Sequence, residues 1–416
     1  MATLLVQHIR QLVTVAAGKA GRKTGPDMRD VGIIQDATVL IQEGRICWVG
    51  PSQEFREPRN GDTHVLDASP FVGMPGFVDS HTHAVFGGSR EAEFTLRAQG
   101  ATYQQIADEG GGILSTVRAT RTTPKKELKK LAARRLDRMM KHGTTTVEIK
   151  TGYGLDEENE TKMLEVIREL REEHLASIVG TFLGAHAVPP EFRSNPEAYV
   201  DLLCERMLPH VARRGAAEFC DVFCEQGYFT VEQSRRILRT ARSSGLKLKV
   251  HADELAPSGG SLLAAELGAV SADHLEHISE EGIRALRNAG VVATVLPGVS
   301  FFLHHEYAPV RKLIDAGVAV AIATDFNPGS CMSYSMPMMM TIACTQMGMT
   351  PEEALTASTL NGAAALTRSE TTGSIEVGKE GDLILYDIPD YRYLPYHFGE
   401  QHVAHVIKQG VLLELP

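Results

Sequence analysis

The sequence is poor in several features that would point to a specialised environment. Its 416 residues include one tryptophan and six scattered cysteines. None of the cysteines forms a C-x-x-C pair or a zinc-finger spacing. No segment approaches the roughly 20 consecutive apolar residues of a membrane helix. These absences lead us to expect reduced thiols and a cytoplasmic protein that does not enter the membrane.

Positive charge is also in short supply. The chain has 42 Lys and Arg against 52 Asp and Glu, a net charge of -10. A nucleic-acid-binding protein needs a cationic surface to neutralise phosphates, so we expect no nucleic-acid partner. The start, "MATLLVQHIRQLVTV", interrupts its apolar residues with Gln7, His8 and Arg10. It lacks the charged beginning and unbroken apolar centre of a signal peptide.

The two ends of the chain differ from its middle. Near the start, "ATVLIQEGRICWVG" alternates in polarity and breaks at Glu43 and Gly44, which predicts a β-hairpin. The last 45 or so residues, beginning with "GSIEVGKEGDLILYD", are similarly rich in short β segments and turns. Between about 74 and 370, short apolar runs alternate with helical segments.

This alternation predicts a (β/α)8 barrel. Eight β-then-α units favour parallel strands with right-handed crossovers, and eight is the number that closes a barrel. One intervening helix has an apolar stripe in "KKELKKLAARRLDRMMKHG" and a stop signal at Gly143. The eight predicted strands lie within residues 76–81, 144–150, 177–185, 218–225, 246–252, 270–276, 291–296 and 318–325.

Polar side chains follow several of these strands. His81 and His83 end the first, His251 ends the fifth and Asp325 ends the eighth. The active site of such a barrel lies at the C-terminal ends of its strands. Residues i and i+2 of a strand point the same way, so both imidazoles of the H-x-H pair can face one point. Three imidazoles and a carboxylate suit either Zn²⁺ or iron.

A bound metal lowers the pKa of a coordinated water to about 7. Glu254, three residues after His251, is placed to accept a proton from that water and to pass it to a leaving nitrogen. The fourth strand ends in "VFCEQ" without the lysine that a two-metal site of this type requires, so one ion is expected. Lys150 is expected to form a salt bridge under the site.

The histidines also have an unremarkable interpretation. A single H-x-H pair is usually structural or surface-exposed, and the adjacent His304 and His305 receive no role. The metal hypothesis rests on four candidate ligands at the same end of four predicted strands. His186 after the third strand and His274 after the sixth are both able to stabilise negative charge as water adds. The sequence does not choose between them.

Several motifs resemble the metal-dependent amidohydrolase superfamily. They are "PGFVDSHTH", "HADE", "DHLEH" and "ATDFNPG", and "EGRICWVG" and "GSIEVGKEGDLILYD" are similar to its flanking segments. The resemblance covers nearly the whole chain. It implies a barrel over residues 74–370 and a small composite β-sandwich built from residues 1–73 and 371–416.

A narrower resemblance is to the imidazolonepropionase family, on "HTHAVFGGSREAEF", "VEIKTGYGL", "FLGAHAVP", "HADEL" and "TDFNPGS". That family hydrolyses 4-imidazolone-5-propanoate to N-formimidoyl-L-glutamate in histidine degradation. The resemblance implies one Zn²⁺ or iron ion per chain and a homodimer. The implied metal ligands are His81, His83, His251 and Asp325. The implied substrate contacts are Arg90, Tyr153, His186, Glu254, Asn327, Gly329 and Ser330. Together with the residue chemistry, this makes Glu254, His274 and Asp325 the candidate catalytic residues.

The chemistry of Arg90 fits a small substrate that carries a carboxylate. Its planar guanidinium binds two carboxylate oxygens at once, and Gly87 and Gly88 let the preceding backbone turn tightly. The simpler alternative is a surface arginine paired with Glu91 or Glu93.

The same residues are compatible with two rival functions. A single-metal deaminase of the same superfamily, acting on cytosine, guanine or a related base, would use the same H-x-x-E motif and the same aspartate. A neutral base, however, offers no carboxylate to Arg90. The second rival is a catalytically inactive barrel with a binding or assembly role. Such a protein is expected to have lost ligands or the general base, and here all are present.

Overall fold

The computed structural model describes residues 3–56, 63–101, 105 and 110–414. The N-terminal part forms the hairpin predicted at Glu43 and Gly44. Both residues have positive φ angles, and Gln42 pairs directly with Arg45 across the turn. The strands of this part are β1 (Thr3–Val13), β2 (Ile33–Gln42), β3 (Arg45–Pro51), β4 (Thr63–Asp67) and β5 (Val72–Pro75).

The middle of the chain forms the predicted barrel of eight parallel strands. Each strand pairs with the next in sequence order, because every crossover returns the chain to the neighbouring position. The barrel strands are β6 (Phe77–Asp79), β7 (Thr144–Lys150), β8 (Ser177–Ala185), β9 (Phe219–Cys224), β10 (Lys247–Ala252), β11 (Ser271–His274), β12 (Val292–Val295) and β13 (Val320–Ile322).

The seam between the first and last barrel strands is narrow. It is joined by a parallel bridge between Thr82 and Phe326, just beyond the ends of β6 and β13. The backbone N–H of Asp325 donates to the carbonyl of His81 at 2.9 Å, and that of His83 donates to the carbonyl of Phe326 at 2.9 Å. The residues that close the barrel are therefore the candidate ligands and their neighbours.

Helices cover the outside of the barrel and the ends of its strands. The helix predicted after the first strand buries Leu128, Ala132 and Leu136, as its apolar stripe indicates. It ends before Gly143, whose φ of +89° favours glycine. The helices are α1 (Glu91–Ala98), α2 (Ile113–Thr122), α3 (Lys125–Lys141), α4 (Glu157–Glu173), α5 (Pro196–Leu202), α6 (Leu208–Arg214), α7 (Val231–Ser243), α8 (Gly260–Leu267), α9 (Glu280–Ala289), α10 (Pro297–Leu303), α11 (Val310–Asp315), α12 (Met336–Gln346), α13 (Pro351–Ser358), α14 (Leu360–Ala365) and α15 (Tyr393–Tyr396).

The C-terminal part returns to the first sheet through β14 (Leu383–Tyr386), β15 (Val403–Lys408) and β16 (Val411–Leu413). The order is β16-β15-β14-β5-β1-β2-β3, and β4 also pairs with β1. Both ends of the chain thus build one domain, as predicted, although its strands form a single branched sheet. The expected boundary between residues 73 and 74 falls inside β5. No helix of the described residues is long and apolar enough to cross a membrane.

Candidate metal centre and active site

Four polar side chains converge at the mouth of the barrel. His81 and His83 follow β6, His251 lies near the end of β10, and Asp325 follows β13. All four are at most 3% exposed. Oδ1 of Asp325 lies 3.3 Å from Nε2 of both His81 and His83. The ring of His251 is centred 4.6 Å from that of His81, so the structure brings together the four candidate ligands.

The donor atoms of this cluster fit a metal ion. Nε2 of His81, Nε2 of His251 and Oδ1 of Asp325 are buried, and none has a hydrogen-bond partner among the described residues. Buried polar atoms without partners are costly, and one cation facing them removes that cost. One donor atom from each of His81, His83 and His251 lies within 4.8 Å of the others. The residues present therefore fit a metal ion.

The pKa shifts of two members of the cluster, His251 and Asp325, also suit a metal. Burial, and then the neighbouring His81, lowers the pKa of His251 well below its usual value, so its ring is neutral. Burial alone would raise the pKa of Asp325, but its contacts with His81 and His83 hold it well below the usual range. Neutral imidazole and ionised carboxylate are the forms that bind metals.

A second group of charged side chains lies inside the barrel, on the strands next to the candidate ligands. Lys150 crosses from β7 to Asp221 on β9, with Nζ 2.7 Å from Oδ2. The salt bridge expected for Lys150 is therefore present. A further close set of possible ligands, His81, Glu148 and Asp273, already has ammonium partners, because Lys150 and Lys249 both contact Glu148 and Asp273.

Glu254 lies on the loop that follows β10. Its backbone N–H and that of Leu255 donate to the carboxylate of Glu225, at 3.0 and 2.9 Å. Oε2 of Glu254 lies 3.5 Å from Nε2 of His274, so the proposed proton carrier and one candidate oxyanion stabiliser are neighbours. Burial, and then the nearby Glu276, raises the pKa of Glu254 well above its usual value. A carboxyl group whose pKa is raised in this way holds a proton more readily than an exposed one, as a proton carrier requires.

His274 has an unusual backbone. Its φ is +81° and that of Leu275 is +74°, so two successive non-glycine residues occupy the left-handed region. Such conformations carry strain and cluster at functional sites. Burial lowers the pKa of His274 to about 3, and the ring is neutral.

Tyr153 and His186 form the opposite wall. The His186 ring stacks on His83 with centroids 5.0 Å apart, and Tyr153 lies 5.6 Å from His83. Nδ1 of His186 lies 3.1 Å from the carbonyl oxygen of Gly152, which only accepts hydrogen bonds, so Nδ1 is the protonated nitrogen. Burial, and then His83, lowers the pKa of His186 to about 3.

The turn after Asp325 is held by Asn327. The amide oxygen of Asn327 accepts from the backbone N–H of Gly329 at 2.7 Å and of Ser330 at 2.9 Å. Its amide nitrogen donates to Oδ2 of Asp325 at 3.0 Å and to the hydroxyl of Ser330 at 2.6 Å. In this structure Asn327 therefore builds the turn and steadies a candidate metal ligand.

Arg90 lies against the same turn. A Cβ atom on Gly329 would overlap Nη1 of Arg90, so this position accepts only glycine while the guanidinium keeps its place. Nε of Arg90 donates to Glu93 at 2.8 Å, which is one of the two ion pairs considered from the sequence. Arg90 thus has both a carboxylate partner and a place beside the turn at the barrel mouth.

Comparison with known proteins identifies the family. The profile of the amidohydrolase family matches residues 72–413. The imidazolonepropionase of Geobacillus kaustophilus (strain HTA426) is 49% identical over 413 residues, which are 99% of this chain and 97% of the relative. That of Parabacteroides distasonis is 50% identical over 410 residues, 98% of each chain.

The chain belongs to the imidazolonepropionase family. The superfamily resemblance and the narrower resemblance are both confirmed. Solved structures agree on the fold of this imidazolonepropionase-family chain. Escherichia coli guanine deaminase matches with a TM-score of 0.76 over 100% of this chain and 99% of its own, at 14% identity. An adenosine deaminase from Xanthomonas campestris matches with a TM-score of 0.73 over 99% and 92%, at 18% identity. At such identities the likeness shows the fold alone.

Several residues around the site of this family member were not predicted from the sequence. A signal was present for some of them, because a charge inside an apolar strand is costly unless it is paired. Asp221 in "FCDVFC" and Lys249 in "LKLKV" are such charges. Glu276, buried with Oε2 lacking a hydrogen-bond partner in the described chain, had no comparable signal. The other missed residues are Glu148, Glu160, Glu225 and Asp273.

Proposed function

We propose that this chain hydrolyses the cyclic amide of 4-imidazolone-5-propanoate to N-formimidoyl-L-glutamate, a step of histidine degradation. The observation that carries the proposal is the 49% identity to an imidazolonepropionase along 99% of the chain. In the reaction, water adds to the ring carbonyl, the carbon–nitrogen bond breaks and the leaving nitrogen takes a proton. The deaminase hypothesis has no comparable support.

The proposal includes one Zn²⁺ or iron ion per chain, held by His81, His83, His251 and Asp325. When bound, the ion would supply Lewis-acid chemistry at the barrel mouth. The support from this chain is the set of buried donor atoms that lack hydrogen-bond partners within the described part of the chain. A homodimer in the cytoplasm completes the proposal. Light scattering of the purified protein tests the dimer.

Glu254 is the proposed proton carrier. It takes a proton from the attacking water and delivers it to the leaving nitrogen, both through Oε2, which lies beside His274. His274 is the proposed donor or acceptor on the same side of the pocket as Glu254. His186, with its proton on Nδ1, is the proposed substrate contact on the opposite wall.

Arg90 is the proposed anchor for the propionate carboxylate. Glu93 contacts Nε and Nη2 of Arg90, which leaves Nη1 and the outer edge of the fork for a second carboxylate. Tyr153 closes the pocket between Arg90 and His186. The turn of Asn327, Gly329 and Ser330 is proposed to contact the substrate beside Arg90. A fixed carboxylate orients the ring carbonyl relative to Glu254, which lowers the entropic part of the barrier.

Product analysis tests the reaction class. The purified protein is offered imidazolone propionate, cytosine and guanine, and product mass and free ammonia are followed. The proposal expects imidazolone propionate to gain the mass of one water without release of ammonia. Ammonia from either base, with no ring opening, would instead support a deaminase. A His251→Ala protein prepared in the same way controls for contaminating enzymes.

A further inference from the structure

Five charged side chains lie on the barrel strands next to the candidate metal ligands. They come from four strands and all are fully buried, and they are Glu148, Lys150, Asp221, Lys249 and Asp273. We call them the ionic cluster. Three carboxylates face two ammonium groups, so each acid depends on a lysine for compensation. Buried charges of this kind are tolerated only when they are paired and hydrogen-bonded.

The ionic cluster touches two of the candidate ligands through single oxygen atoms. Oδ2 of Asp273 is hydrogen-bonded to Nδ1 of His81 at 2.7 Å, and Oδ2 of Asp221 lies 2.9 Å from Nδ1 of His251 as a close ionic contact without hydrogen-bond geometry. In both histidines the nitrogen facing the metal position is therefore Nε2. A carboxylate on Nδ1 fixes the ring orientation and makes Nε2 a stronger ligand.

Lys150 reaches the same two oxygens. Its Nζ lies 2.7 Å from Oδ2 of Asp221 and 3.5 Å from Oδ2 of Asp273. The remaining oxygens are occupied by other donors. Oδ1 of Asp221 accepts from the backbone N–H of Val222 at 2.8 Å, and Oδ1 of Asp273 accepts from the hydroxyl of Ser271 at 2.6 Å. Lys150 thus contacts both of the carboxylates that face candidate ligands. Its Nζ lies within 3.6 Å of Oδ2 of Asp221 and of Oδ2 of Asp273.

We propose that Lys150 is a positioning residue for the metal centre, acting through Asp221 and Asp273 on His251 and His81. Its ammonium group holds both Oδ2 atoms in place and compensates their charge, and the two imidazoles then present Nε2 to one point. The inference rests on the metal-dependent hydrolysis proposed above. In this proposal the buried ammonium group of Lys150 affects metal affinity although an aspartate and a histidine lie between it and the metal position.

The direct test compares Zn²⁺ affinity in wild-type protein and in Lys150→Met. Metal is removed, Zn²⁺ is added back, and a chromophoric chelator competes for it. Changes in groups that support metal ligands typically weaken metal binding by about 10- to 100-fold, and we expect a loss in this range. The thermal midpoint of each metal-free protein is recorded alongside.

Lys408→Met is the matched control. Lys408 is another buried lysine, 4% exposed, whose Nζ lies 2.6 Å from Asp382 in the terminal sheet. Both substitutions remove a buried ammonium group and leave a carboxylate without its closest ammonium partner. Lys408→Met is expected to lower the thermal midpoint and to bind Zn²⁺ like the wild type. Equal losses of affinity in both variants would mean general destabilisation and would overturn the proposal.

A second variant covers the case in which Lys150→Met does not fold. Asp221→Asn keeps the shape of the side chain, and Lys150 retains Glu148 and Asp273 as partners. It is also expected to weaken Zn²⁺ binding. Wild-type affinity in folded Lys150→Met, or in Asp221→Asn if the first variant is lost, rejects the positioning role. A wild-type protein that binds Zn²⁺ without opening the ring contradicts the proposed function and leaves this inference standing.

Discussion

The guanidinium of Arg90 is held on one edge by the carboxylate of Glu93. Nε and Nη2 both approach Oε2, at 2.8 and 2.7 Å, while Oε1 of Glu93 accepts from the backbone N–H of Gly112 at 3.0 Å. Each side chain is 12% exposed. Glu93 therefore fixes Arg90 to the start of α2 and leaves Nη1 without a hydrogen bond to any residue that the structure describes.

The first prediction concerns this free edge. Arg90→Ala is expected to lower kcat/KM for imidazolone propionate by about ten- to a hundred-fold, because a hydrogen bond to a charged group contributes about 1.5–3 kcal/mol. Arg90→Lys is expected to restore only part of this, since an ammonium group lacks the planar fork. Steady-state kinetics of the three proteins make the comparison.

A substrate analogue with an amide in place of the propionate carboxylate sharpens the test. Wild-type protein should process the analogue poorly, and Arg90→Ala should distinguish little between the two compounds. If the analogue lowers kcat/KM equally in both proteins, Arg90 does not bind the propionate carboxylate and serves only as the ion-pair partner of Glu93.

The second prediction concerns Glu254. Glu254→Gln is expected to keep the fold and the metal while kcat falls by roughly 10²- to 10⁴-fold, because an amide does not carry the proton. Kinetics and elemental analysis of the same preparation check both parts. Near-normal kcat in a metal-loaded variant would transfer the role to another group, with Asp325 the first candidate.

The third prediction concerns metal content. Elemental analysis should find one equivalent of metal per active chain, and His251→Ala should lose both the metal and the activity, because it removes one of the four converging ligands. His64→Ala, which removes an exposed imidazole from the terminal sheet, is the matched control and should lose neither. Two equivalents, both required for turnover, would contradict the single-ion proposal.

The fourth prediction concerns Glu160, a buried carboxylate on α4. It accepts from the backbone N–H groups of Gly152, Gly154 and Leu155, at 2.7–3.1 Å through Oε1, and so shapes the loop that carries Tyr153. Its Oε2 also accepts from the backbone N–H of Gly152, at 3.2 Å. Glu160→Gln is expected to lower kcat/KM, since an NH₂ group in place of Oε2 would face this backbone donor.

The unfolding free energy of Glu160→Gln should fall by about 1–3 kcal/mol, and its metal content should not change, since Glu160 contacts no candidate ligand. Glu158→Gln, an exposed change on the same helix, should behave like the wild type. Denaturant unfolding and kinetics measure both effects. Unaltered kcat/KM with reduced stability would limit Glu160 to a structural role.

The sequence predicted the barrel and the convergence of the candidate metal ligands because both follow from local patterns. Apolar runs of strand length mark the eight strands, and the closed topology then brings His81, His251 and Asp325 to one end. No knowledge of individual side-chain contacts was needed to predict that these three residues lie together. The hairpin at Glu43 and Gly44 was equally local.

The supporting contacts could not be predicted in the same way. Nδ1 of His81 meets Asp273 across 192 residues of sequence, and the pairing depends on which face of each strand lies inward. The left-handed backbone conformation of His274 and Leu275 could not be predicted, because neither residue is a glycine. Arg90 pairs with Glu93 and not with Glu91 because α1 begins directly after Arg90, which brings the residue three positions later next to it.

The seam of the barrel has a consequence for biosynthesis. The backbone contacts that join the first and last strands belong to His81, His83, Asp325 and their neighbours. While a ribosome is still translating the seventh strand, β12, the emerging chain already contains His81, His83 and His251. It still lacks Asp325 and the segment after β13 that hydrogen-bonds to the backbone of His81 and His83. The four candidate ligands therefore come together only when the barrel closes, and we expect a nascent chain to bind a metal ion at this site only after nearly all of its barrel has been made.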